Sequence, residues 1–150
     1  MSHKDEEKII GEIFIEEYNI INSCHLKVDQ DYLSNREENA FPDLKFVNSQ
    51  ELYAEVVRAV SSEIEKRKND LKNLELIEVD PHSELFIAID KKDQKHYSGA
   101  EDIILLIHLS FYSDNIDVRS LVSPVKSRGY NFREIWAVWD DRDKKPIKLA

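Results

Sequence analysis

The run Ile103-Ile104-Leu105-Leu106-Ile107, continued through His108 to Leu109, constrains this chain more than any other stretch. Five consecutive aliphatic residues closed by a polar loop on the N-terminal side suit a buried strand rather than a short helix. No apolar run in the sequence is longer, and a bilayer span needs about 20 such residues. The chain must therefore cover this strand with its own helices.

The remaining pattern supplies them. Residues 5–22 predict a helix, with Ile9, Ile10, Ile13, Phe14, Tyr18, Ile20 and Ile21 on one broad arc at helical spacing. Glu17 projects close to the middle of that arc and Glu16 to its edge. A carboxylate there needs a partner, a metal or a wet cavity. Residues 26–40 are polar and irregular. Asp43–Val47 and Glu51–Arg58 read as two strands around the turn Asn48-Ser49-Gln50, an antiparallel hairpin. Residues 59–74 predict a solvated helix, 76–79 and 85–89 strands around Asp80-Pro81-His82-Ser83, and 90–99 a polar loop. Residues 115–128 predict a helix weakened by Pro124, 134–139 a strand, and 145–150 a short edge strand in which Pro146 is tolerable. Strands alternating with helices imply an α/β sandwich with a mixed central sheet flanked by helices.

Composition narrows the class further. The 150 residues suit a single domain over 1–150, with three glycines, four prolines, no repeat and no linker-like tract. A polar, charged N-terminus predicts no secretory signal, and the lone Cys24 excludes an internal disulfide; the expected location is cytoplasmic. The net charge of −9 argues against a general nucleic-acid coat protein. It leaves room for an enzyme that grips a phosphodiester locally around a metal. With no glycine-rich phosphate loop, a P-loop or dinucleotide-binding protein is not expected. The five histidines show no metal-ligand spacing, and His108 reads as a hydrogen-bonded core residue.

The chemistry lies in the hairpin. Side chains alternate along a strand, so Asp43, Lys45 and Val47 share one face, and Tyr53, Glu55 and Val57 share a face of the next strand. A suitable register brings Asp43 and Glu55 within a few ångströms, a site for a hard divalent cation, Mg2+ or Mn2+. Such a cation polarises a phosphodiester and activates water. The competing reading makes Asp43 a strand-entry residue after Pro42 and Glu55 a solvent-facing strand residue.

With Pro42-Asp43 before one strand and Glu55 on the next, the chain resembles the PD-(D/E)XK nuclease superfamily. The run Ile103–Leu109 and the segment Phe132-Arg133-Glu134-Ile135-Trp136-Ala137-Val138 extend the resemblance over most of the chain. It implies a restriction-endonuclease-like αβββαβ core and Mg2+- or Mn2+-dependent cleavage of DNA. Asp43 and Glu55 would be metal ligands and Glu17 a further acid from the first helix. The superfamily lysine, two residues after the strand acid, is replaced by Val57. Lys45, on the face of Asp43, is the expected substitute, ahead of Arg58. The rival reading is a non-catalytic interaction protein of immunity type, favoured by the acidic balance and the missing lysine. A third expectation is a homodimer formed through whichever of Trp136 and Trp139 is not core.

Overall fold

The structure is a computed structural model that describes residues 3–37, 41–48, 50–58, 81–95, 99–109 and 118–150. Its elements run α1 (His3–Asn22), β1 (Lys27–Val28), α2 (Gln30–Asn35), β2 (Leu44–Val47), β3 (Glu51–Arg58), α3 (Pro81–Asp93), β4 (Ile103–Leu109), α4 (Val122–Arg128), β5 (Glu134–Trp139) and β6 (Ile147–Lys148). Short 3-10 turns precede β4 and α4. Among the described residues, six strands form one mixed sheet in sequence order. β1, β2 and β3 are antiparallel neighbours, β3, β4 and β5 are parallel, and β6 returns antiparallel on β5.

Pairing follows the apolar pattern. β4 is the sheet's interior, buried at all seven positions, because parallel strands covered on both faces have no side open to water. Ile104 and Leu106 point to the face covered by α1, with Ile10, Phe14, Phe46 and Trp136. Ile103, Leu105, Ile107 and Leu109 point to the other face, with Leu85 and Ile89 of α3 and Val125 of α4. On the α1 face Phe14 meets Trp136 edge-on, with ring centroids 5.3 Å apart. Gly11 lets α1 lie close against β2, since a Cβ there would lie 2.8 Å from Leu44 Cδ1. No helix among the described residues is long and apolar enough to cross a membrane.

Leu106 is fully buried. Leu106→Ala is expected to cost about 2–5 kcal/mol, because a rigid sheet cannot close around the lost side chain. The check is the urea midpoint at unchanged slope; a loss below about 0.5 kcal/mol, typical of a surface substitution, would contradict this placement.

Several expectations from the sequence need correction. Leu85–Ile89 is helical rather than a strand, and α3 continues through residues assigned to the polar loop. Residues 26–40 hold β1 and α2, the latter capped by Asp29, whose side chain accepts the Tyr32 N–H. Pro124 does not break α4, because it stands in the first turn, where its missing N–H has no intrahelical acceptor to serve. Neither tryptophan is exposed: Trp136 and Trp139 are buried on opposite faces, so neither offers the dimer contact expected of it. The predicted helix 59–74, the strand 76–79 and residues 115–117 lie outside the described residues.

Candidate functional site: a carboxylate pair between two cations

Asp43 immediately precedes β2, and the register Leu44↔Ala54 carried one step back sets it opposite Glu55. The two acids are stitched to each other's backbone. The Asp43 N–H donates to Glu55 Oε1 at 3.1 Å, and the Val56 N–H donates to Asp43 Oδ2 at 2.9 Å. Sequence reading placed these acids together, and the structure brings them together. Glu55 is 3% exposed, so it is not a solvent-facing strand residue.

Each remaining carboxylate oxygen faces a cation. Lys92, in the last turn of α3, donates to Glu55 Oε2 at 3.0 Å. Arg36, just after α2, stands 3.8 Å from Asp43 Oδ1 and pairs on its other side with Glu7 of α1. The floor is held by Tyr32, whose hydroxyl donates to the Pro42 carbonyl at 2.6 Å. The Phe41–Pro42 peptide bond is cis. The resulting row is Glu7, Arg36, Asp43, Glu55, Lys92: three acids interleaved with two cations.

Burial is the main electrostatic force on this row. It pushes the Glu55 carboxyl up to about 8, helped by the hydrogen bond and the charge of Asp43, while Lys92 opposes the rise. Glu7 is pushed up to about 7 by burial and then by the charge of Asp43, against the pull of Arg36. Both acids therefore hold a proton more tightly than they would in water.

Two expected members lie elsewhere. Lys45 shares the face of Asp43, but its ammonium is 3.4 Å from Glu51 Oε1, 4.0 Å from Asp29 Oδ2 and 5.8 Å from the centre of the Tyr53 ring. Its own neighbouring acids draw it along the strand and away from Glu55. Glu17 sits ten residues beyond Glu7 on α1, which is about 15 Å along a helix axis. The α1 acid in the row is Glu7. Spacing carried a signal for it, since Glu7, Ile10, Phe14 and Tyr18 follow the 3–4–4 rhythm of a buried stripe. Nothing local marks Arg36 or Lys92, which lie among other charged residues. Arg58 ends β3 and is exposed. His108 is buried, with Nε2 3.5 Å from Asp140 Oδ2. Cys24 donates to Asn19 Oδ1.

The row suits a hard cation in donor chemistry, because Asp43 and Glu55 offer only oxygens. Among the described residues no group of three His, Cys, Asp or Glu side chains is gathered for a metal. A Mg2+ ion would take one or two carboxylates from the protein and fill its shell with water and substrate phosphate. Comparison with family models, with curated proteins and with solved structures gives no match to this chain.

Proposed function

We propose that the chain is a metal-dependent phosphodiester hydrolase acting on DNA, with Asp43 and Glu55 as its metal ligands. The observation that carries the reading is the cross-bonded pair Asp43–Glu55 with the ammonium of Lys92 at its open end. The described elements support it in outline: with the short α2 between β1 and β2 set aside, α1, β1, β2, β3, α3 and β4 come in the order that a restriction-endonuclease-like αβββαβ core would have. Lys92 then takes the work expected of the lysine that Val57 replaces, reaching the strand acid from a helix.

Hydrolysis forms a bond from a water oxygen to phosphorus and breaks the bond to the leaving oxygen, which takes up a proton. When bound, the cation polarises the phosphoryl group and lowers the pKa of water. The protein's part is placement and charge. Asp43 and Glu55 hold the cation, and their backbone hydrogen bonds fix both carboxylates before it arrives. Lys92 sets a positive charge against the negative charge that grows on the phosphoryl oxygens. Arg36, shared between Glu7 and Asp43, keeps Asp43 turned into the row.

Lysine variants test the assignment. Lys92→Ala is expected to lower kcat by about 10²–10³-fold, the usual loss of one preorganised charge-stabilising donor. Lys45→Ala is expected to leave kcat nearly unchanged. Equal losses in the two variants would remove Lys92 from the site.

One observation favours a second reading, the non-catalytic interaction protein. Every oxygen of Asp43 and Glu55 already faces an N–H or a cation of this chain. A row closed in this way is also a structural brace between α1, the hairpin and α3. That reading predicts no response to divalent cations beyond ionic strength, which separates the two.

A further inference from the structure

We propose that Asp90 and Tyr130 form a positioning clamp that holds the end of α3 so that Lys92 meets Glu55. The inference rests on the reading of Asp43, Glu55 and Lys92 as the site. Leu85 and Ile89, both fully buried, anchor α3 to the sheet by apolar contact. Beyond Ile89 the helix end is held by polar contacts. The Tyr130 hydroxyl donates to Asp90 Oδ1 at 2.6 Å, and Arg128 Nη1 reaches Asp90 Oδ2 at 3.3 Å. The Arg128 guanidinium also lies over the Phe86 ring, 4.0 Å from its centre and one helical turn before Asp90. The Asn131 N–H donates to Asp93 Oδ1 at 2.9 Å.

All these contacts come from residues 128–131, the last residue of α4 and the start of its link to β5. Lys92 lies between the two gripped acids in sequence but roughly 160° around the helix from Asp90. The final turn is therefore held on one side and used on the other. Helix ends fray unless tied, and a lysine stem has four flexible carbons. Without the grip, the reach of Lys92 to Glu55 would be averaged over a loose turn. Burial, with the adjacent Asp90, pushes the Tyr130 hydroxyl up to about 12, so it remains a donor at any working pH.

The test uses the full chain with Tyr130→Phe, Asp90→Ala and Asp90→Glu, and needs no substrate. Proton exchange of the Lys92 ammonium is read by 15N NMR, its signal assigned by its loss in Lys92→Met. In wild type the contact with Glu55 should slow exchange well below that of exposed Lys91. Tyr130→Phe and Asp90→Ala should bring the Lys92 rate towards that of Lys91, and Asp90→Glu, which keeps the acceptor, should restore slow exchange. A wild-type Lys92 signal as fast as Lys91, or slow exchange kept in both variants, overturns the clamp. Should Tyr130→Phe fail to fold, Asp90→Ala decides alone. In a cleavage assay with Mg2+, the clamp variants should lose about 10²-fold in kcat with KM little changed, the signature of a misplaced group. A wild type without cleavage defeats the hydrolase reading and leaves the NMR result to judge the clamp.

Discussion

Asp43→Ala and Glu55→Ala should each abolish DNA cleavage in Mg2+ or Mn2+, lowering the rate by at least about 10³-fold. Losing a charged ligand removes several kcal/mol of charge stabilisation from the transition state, and ~4 kcal/mol corresponds to that factor. The double variant should be no worse than either single one, because the two acids act through one cation. Circular dichroism must show the variants folded, since each truncation leaves a partner behind: Lys92 without Glu55, or the Val56 N–H without Asp43. Glu55→Gln, which keeps the acceptor for the Asp43 N–H, controls for shape. Cleavage by the double variant at the wild-type rate would end the hydrolase reading.

The second large effect is thermal and needs no substrate. Glu55 has an ordinary value of 4.5 and is pushed up to about 8 in the folded chain. Between those values the folded state binds the proton and the unfolded state does not. Stability therefore falls as pH rises from about 4.5 through about 8, by up to a few kcal/mol. Glu7 adds a fall of the same sign, complete near pH 7. Melting temperature should drop across this window, and Glu55→Gln should flatten much of the fall.

Divalent cations should act oppositely. A ligand bound only by the folded chain at about 100 times Kd adds roughly 2.7 kcal/mol. For a domain of this size that raises Tm by about 5–10 °C. Metal and proton compete for the same carboxylate, so the Mn2+ shift should grow as pH approaches and passes about 8. Asp43→Asn should remove most of it. Melting curves in Mn2+, Mg2+ and NaCl of matched ionic strength that superimpose at pH 8.5 would eliminate the cation site and favour the brace.

The hairpin and the inner strands were legible because their signals are local. Alternation marks Leu44–Val47 and Glu51–Arg58, and the unbroken aliphatic run Ile103–Ile107 marks the strand Ile103–Leu109. The same rule failed on Leu85-Phe86-Ile87-Ala88-Ile89. A five-residue apolar run fits a strand or a buried helix equally well, so the residues flanking it must arbitrate. The overlooked sign was Pro81, now the first residue of α3, where a fixed φ and a missing N–H suit a helix start.

The sequence by itself determined the α/β class, the sheet's inner strands and the pairing of Asp43 with Glu55, because each depends on side-chain period and on a tight turn that sets register. Tertiary structure alone decided which charges join that pair. Lys92 lies 37 residues from Glu55 and Glu7 29 from Arg36. Over such distances no periodicity relates two charged side chains, and a lysine bound for a buried acid looks the same as one bound for water. Packing chose among them. With α3 laid against the sheet, Lys92 meets a desolvated carboxylate, while Lys45, nearer in sequence and on the expected face, is captured by the more exposed Glu51 and Asp29 beside it.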